Sequence, residues 1–302
     1  MTSIYTIISH FKLIADISAY IMIATGIFTF IFAVKSGLLG AGYGRHYKQG
    51  EKSDLSDVGV LFSFKNGWII QESGSVLGSI ITLLIVYKNF PELFALFTQK
   101  VYLFGAWIYL VPFYIHYIHR AWIYPFFTNS KQPISCSIMS LALIFCSWNG
   151  FQQTISVLGN FYNDNEAVLL DEDNILKNFD VTKQNTHNFV QPCLLGLPIF
   201  VLGMIINIHA DYHLISLKNE GKGYQIPNSG LFKLITCPNY FGEFVEWFGY
   251  AVFCNFSLSS IAFVIFTMGN LVPRAMKNHL WYKEKFPDQY PDNRKIVFPF
   301  LY

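Results

Sequence analysis

The chain has 302 residues, of which 53% are hydrophobic, 18% aromatic and 13% charged, with a mean hydropathy of +0.36. Soluble domains carry about 25% charged residues, so this composition excludes disorder, a collagen or disulfide scaffold and most soluble enzymes, and it fits a multi-pass membrane protein. The net charge of +2, from 21 basic and 19 acidic residues, offers no basic stripe for nucleic acid.

A membrane helix needs about 20 mostly apolar residues. Windows of that kind lie at 12–34, 67–87, 101–119, 134–158 and 190–210. A sixth stretch, 239–273, is too long for one crossing, and Cys254-Asn255-Phe256-Ser257 divides it into two. No small-residue cleavage site follows the first window, so no cleavable signal peptide is expected. The reading is all-α, with seven transmembrane helices, the N-terminus outside and the C-terminus cytoplasmic. In that orientation 16 of the Lys and Arg residues fall on the cytoplasmic side and 5 outside. Treating 239–273 as one span moves six tail charges and leaves 10 against 11, which removes the asymmetry. The acidic loop Asp164 to Asp180 then lies outside, as a solvated segment. Five cysteines (136, 146, 193, 237 and 254) form no CxxC pair and are read as buried thiols.

Ionisable groups inside membrane helices are costly and are functional candidates by default. Here they share one depth on the cytoplasmic side. Trp68, Gln71 and Glu72 lie near the start of the second span, and His116, Tyr117, His119 and Arg120 end the third. Asn207, His209 and Asp211 close the fifth, Asn239, Glu243 and Glu246 open the sixth, and Arg274, Asn278 and Tyr282 follow the seventh. This pattern predicts a cavity open to the cytoplasm. Arg120, Lys218, Arg274 and Arg294, with the amides and the phenols of Tyr43, Tyr117, Tyr224 and Tyr282, suit a phosphorylated, hydrogen-bonding ligand. Glu72 and Tyr117 lie deeper among apolar residues, where a carboxyl group can donate or share a proton. Two compartments follow, one polar for a nucleotide and one apolar for a lipid-like substrate.

Other readings of these residues are weaker. His116/His119 and His209/His213 hint at a membrane di-iron site, but such sites need about eight histidines in boxes, and here His10, His46 and His187 stand apart. No metal is expected. The run Gly40-Ala-Gly42-Tyr-Gly44 follows a membrane helix and not a strand, so a Rossmann loop fails its structural test. Gly74 and Gly78 form a small-xxx-small packing pair. Asn149 and Gln153 fall in the outer half of the fourth span, away from the cluster, and are read as interhelical hydrogen-bonding residues. A transporter or receptor is the plain reading of seven helices, but it leaves the one-sided polar cluster unexplained.

Longer motifs are more specific. The run from Gly230 to Trp247 (GLFKLITCPNYFGEFVEW), Asn207-Ile-His209-Ala-Asp211-Tyr212, Arg274-Ala-Met-Lys-Asn278-His279-Leu-Trp-Tyr282 and the ending Tyr290 to Tyr302 resemble the steroid 5α-reductase family. Upstream, Gly42-Tyr43-Gly44-Arg45-His46, Gln71-Glu72 and His116-Tyr117-Ile-His119-Arg120 resemble it in the same order. The resemblance implies an NADPH-dependent reductase of 3-oxo-Δ4 steroids. It implies one domain over 1–302, with 1–133 mainly forming the substrate pocket and 190–302 mainly binding NADPH. Glu72 and Tyr117 would then hold the steroid C3 carbonyl oxygen, with Trp68 and Gln71 beside it in the pocket. NADPH would be held by Tyr43, Arg120, Lys131, Asn207, Asp211, Lys218, Tyr224, Asn239, Glu243, Arg274, Asn278, Tyr282 and Arg294. Lys218 stands where the family often has arginine, and Asn278 where many animal members have histidine. The implied partners are a steroid or other lipid-like enone and the bilayer, either a bacterial inner membrane or the endoplasmic reticulum, with the protein a monomer. The same superfamily also suggests an enoyl-CoA or polyprenol reductase. An isoprenylcysteine-type methyltransferase shares a loosely similar ending, but Gln71-Glu72 and the Asn207/Asp211 run argue against it.

Overall fold

The computed structural model describes residues 4–36, 60–98, 106–128, 130, 132–163 and 183–301. Long helices dominate it. They are α1 (Ile4–Ser36), α2 (Phe64–Asn89), the short α3 (Pro91–Thr98), α4 (Val111–Ile118), α5 (Tyr124–Phe127), α6 (Cys136–Asn163), α7 (Lys183–Asn219), α8 (Pro238–Phe253) and α9 (Leu258–Lys285). Among the described residues, four helical stretches are long and apolar enough to cross a membrane: Thr6–Lys35, Phe64–Asn89, Leu194–Asn219 and Leu258–Lys285. Leu13, Ile17, Leu84, Ile85, Leu202 and Ile205 point outward from these helices. An exterior of that kind fits lipid rather than water.

Helix ends follow the local chemistry. Ser63 and Ser257 cap α2 and α9 by accepting from Asn66 N and Ser260 N. Pro238 occupies the first turn of α8, where its missing N–H costs nothing. The predicted break in 239–273 falls at the turn Cys254–Phe256, where Asn255 and Phe256 take positive φ. The fifth window is longer than predicted, because α7 continues to Asn219 through polar residues that a hydropathy window does not register.

The third window departs most from expectation. A single helix over 101–119 is predicted, whereas the described part is a 3-10 turn (Ala106–Leu110), α4, a π turn (His119–Ile123) and α5. Pro125 lacks the N–H that would donate to the carbonyl four residues back, so the ladder changes register just before it. The widened turn that results carries Arg120.

Packing rests on close helix pairs. The most extensive is α7 against α8. There a Cβ on Gly203 would strike the Glu246 backbone N, and one on Gly242 would strike the Asn207 backbone N. Only hydrogen at those positions lets the Glu246 backbone close on Gly203 and the Asn207 backbone close on Gly242. Helices α2 and α6 meet in the same way, with Gly74 against Leu143 and Ser147, and Gly150 against Ser75. A short antiparallel strand pair, β1 (Leu61–Phe62) with β2 (Ile134–Ser135), ties the start of α2 to the start of α6, with Leu61 opposite Ser135. The C-terminal tail is clipped to the entry of α8. Thr236 N donates to Lys295 O at 2.8 Å, and Lys295 N donates to Leu234 O at 2.8 Å.

Candidate active site

Helical spacing sorts the predicted residues. Asn207 and Asp211, four apart on α7, are both buried, while His209 between them is exposed. Asn239, Glu243 and Glu246 share the face of α8 that meets α7. The two faces are bonded together: Asn207 Nδ2 donates to Asn239 O at 2.9 Å, and Asn239 Nδ2 donates to Asp211 Oδ1 at 3.0 Å. Asp211 Oδ2 accepts from Arg120 Nη1 at 2.8 Å, which brings in the π turn. Both ends of that ion pair are shielded, with side-chain exposures of 16% for Arg120 and 7% for Asp211.

Arg120 is held from two further sides. Its guanidinium lies over the Trp68 ring at 5.0 Å and the Tyr124 ring at 4.9 Å. The Trp68 indole N–H donates to the Arg120 carbonyl at 3.1 Å. Glu243 and Glu72 lie within electrostatic reach of the same cation. Residues from α2, the π turn, α7 and α8 therefore meet around one guanidinium.

The deeper pair, Glu72 and Tyr117, lie within electrostatic reach of one another. Glu72 Oε1 accepts from Gln71 Nε2 at 3.1 Å, and its Oε2 lies 3.9 Å from the Cys146 thiol of α6. The Tyr117 hydroxyl lies within electrostatic reach of both Glu72 and Cys146. Phe113 and Trp247 pack around the Tyr117 ring, with centroids at 4.7 Å and 5.9 Å. An apolar wall with a carboxyl group and a phenol projecting from it is suited to gripping the polar end of a greasy molecule.

Asn149 needs correcting. It does bond between helices, its Nδ2 donating to the Tyr117 hydroxyl oxygen of α4 at 3.3 Å, but this same bond overturns its separation from the cluster. The reason is depth. Helix α6 runs from Cys136 to Asn163, so Asn149 stands at its middle and not in its outer half. Gln153 does bond between helices, to the Ser259 carbonyl of α9 at 3.2 Å.

His116 and Glu246 form a buried pair that sequence reasoning noted only as members of the polar cluster. His116 Nδ1 lies 2.8 Å from Glu246 Oε1, with side-chain exposures of 6% and 0%. The spacing 239, 243, 246 on one helical face was the signal available for Glu246. His116 is thus engaged by Glu246, while His209 is exposed and the His119 ring lies 6.1 Å from that of Tyr212. Among the described residues no group of three His, Cys, Asp or Glu side chains could hold a metal.

The remaining predicted residues form a rim around the tail. Arg294 is buried against the Tyr290 ring at 5.0 Å, and its Nε has no hydrogen-bond partner among the described residues. Tyr290 stacks on Tyr282 at 5.6 Å, and Tyr224 packs edge-on to Trp281 at 4.8 Å. Asn278 Nδ2 reaches Cys237 Sγ at 3.6 Å, two residues before Asn239. Arg274 is half-buried on α9, and Lys218 is exposed at the end of α7. Tyr43, with the glycine run around it, and Lys131 lie outside the described residues.

An apolar helical exterior around a buried, hydrogen-bonded polar network fits an enzyme built for a lipid environment. Comparison with known proteins narrows it. The family described as 3-oxo-5-alpha-steroid 4-dehydrogenase matches residues 131–302. The chain is 35% identical to the steroid 5-alpha-reductase DET2 of Gossypium hirsutum, over 87% of this chain and 89% of that protein. It is 32% identical to the 3-oxo-5-alpha-steroid 4-dehydrogenase 1 of Bos taurus, over 96% and 98%, and 38% identical to that of Homo sapiens, over 65% and 67%. The chain belongs to the 3-oxo-5-alpha-steroid 4-dehydrogenase family and is an oxidoreductase.

Proposed function

We propose that this protein reduces the Δ4 double bond of 3-oxo-Δ4 steroids, using NADPH, with Glu72 and Tyr117 holding the C3 carbonyl oxygen. The observation that carries this reading is that Glu72 and Tyr117 converge on Cys146, with Glu72 also within electrostatic reach of Arg120 and so of the Arg120–Asp211–Asn239–Asn207 network. The relatives' names supply the steroid and the reduction.

The donors suit a dinucleotide. Arg294 offers a buried N–H without a partner, the kind of group that a phosphate oxygen satisfies. Arg120, Lys218, Arg274 and Arg294 would supply positive charge. Asn207, Asp211, Asn239, Glu243, Asn278, Tyr282 and Tyr224 would supply hydrogen bonds and stacking, and Tyr43 and Lys131 complete the proposed set. When bound, NADPH supplies a hydride.

The chain's own residues do the rest. As the enone is reduced, negative charge develops on the carbonyl oxygen and is discharged when C4 takes up a proton. Hydrogen bonds from the Tyr117 hydroxyl and the Glu72 carboxyl group stabilise that charge, most strongly where water is excluded. Gln71, bonded to Glu72, holds the carboxyl group in place. Trp68 and Trp247 keep the surroundings apolar. Residues 1–133 form most of the substrate side and 190–302 most of the cofactor side. In the membrane, seven crossings with the N-terminus outside and the C-terminus cytoplasmic would open the polar rim to cytoplasmic NADPH.

The test is to incubate purified protein with NADPH and a 3-oxo-Δ4 steroid and to follow the nicotinamide absorbance. Steroid-dependent loss of absorbance is expected, and it should slow about 100- to 1000-fold with Glu72→Gln or Tyr117→Phe, although both still bind NADPH. Near-normal turnover by either variant would refute the assignment.

A further inference from the structure

A chain of buried amides runs into the Tyr117 hydroxyl, and its direction can be worked out from one end. The Ser259 carbonyl oxygen can only accept. Gln153 Nε2 sits 3.2 Å from it and must therefore be the donor. The second N–H of the same nitrogen points to Asn149 Oδ1 at 3.1 Å. That contact identifies which end of the Asn149 amide is oxygen, and so Nδ2 faces the Tyr117 hydroxyl oxygen, 3.3 Å away. Asn149 and Gln153 are 0% and 1% exposed, so water does not compete for these groups. A phenol oxygen that accepts from an amide keeps its own proton for another partner. Ser75 flanks the phenol, but a rotating hydroxyl can donate or accept and so sets no direction.

We propose that Gln153 and Asn149, anchored on the Ser259 carbonyl, are positioning residues that present Tyr117 to the substrate as a hydrogen-bond donor. Neither touches the steroid. The proposal rests on the functional reading above, in which Tyr117 donates to the C3 oxygen.

The decisive variant is Asn149→Asp, which keeps the size but replaces the N–H₂ with an oxygen that can only accept when ionised. Tyr117 would then turn its proton toward residue 149. Turnover by Asn149→Asp should fall about 100- to 1000-fold, the usual loss for one oxyanion donor, with kcat rather than the steroid KM carrying the loss. In the Tyr117→Phe background the same substitution should cost less than about twofold, since no proton remains to be aimed. Asn149→Ala guards against misfolding, because it leaves the phenol unaimed without supplying an acceptor, and it should lose less activity than Asn149→Asp. Raman spectra of bound steroid give a readout apart from turnover. The carbonyl stretch, lowered in the wild-type protein, should move back in Asn149→Asp as far as in Tyr117→Phe. Wild-type turnover by Asn149→Asp, or losses that simply multiply in the double variant, would overturn the proposal while leaving the reductase reading intact. Full turnover by Tyr117→Phe would remove both.

Discussion

Asp211→Ala isolates the ion pair at the centre of the network. Asp211 accepts from Arg120 at 2.8 Å and from Asn239 at 3.0 Å, with its side chain only 7% exposed. Removing one partner of a buried pair costs about 3–5 kcal/mol, because the other charge stays buried and unpaired. The lower end applies here, since Arg120 keeps its stacking on Trp68 and Tyr124 and some access to water. About 3 kcal/mol, spread over 302 residues at about 2.1 cal/mol/K each, corresponds to a fall in Tm of roughly 5 °C. Thermal unfolding in detergent without cofactor, followed by tryptophan fluorescence, reads this directly. Pairing Asp211→Leu with Arg120→Met should recover most of the loss, because an apolar pair of similar volume is close to neutral. The reasoning fails if Asp211→Ala shifts Tm by less than about 1 °C, or if the double variant is no more stable than the single one.

Further predictions concern the seam, the tail and the outer titrating groups. Gly242→Ala should wedge α8 from α7 at the Asn207 backbone, lowering stability by about 1–3 kcal/mol in the same unfolding assay and weakening NADPH binding, measured by fluorescence titration. Thr236→Val removes the hydroxyl that contacts His279 Nδ1 and the Tyr290 hydroxyl at 2.6 Å each. It should cost about 1–3 kcal/mol and expose the tail after Phe286 to limited proteolysis. Burial holds the Tyr290 hydroxyl above its ordinary value of 10.0. A raised acid contributes stability that is present below pH 10 and is lost as pH climbs through the folded-state value. The wild-type Tm should therefore fall on the alkaline side of pH 10 more steeply than that of Tyr290→Phe; equal slopes would show that Tyr290 carries none of it. Arg274→Ala should weaken NADPH binding, and an unchanged affinity would take Arg274 out of the cofactor set.

The helical class, four of the apolar windows and the break near Cys254 could all be read from the chain. Each is written in local composition and in the regular rise of a helix. The buried spacing of Asn207 with Asp211, and of Asn239 with Glu243 and Glu246, is equally local, because residues three or four apart share a face. Three features belonged to the tertiary structure alone. The third window is re-registered at Pro125 into a π turn that aims Arg120 at Asp211. The glycine seam brings α7 and α8 close enough for Asn207 to reach the Asn239 carbonyl. Asn149 meets Tyr117 although their positions along the sequence imply different depths. The physical reason is common to all three. Sequence spacing determines where a side chain leaves its own helix, but which group it meets depends on how far it extends and how closely the neighbouring backbone approaches, and both depend on the packing of residues remote in the chain.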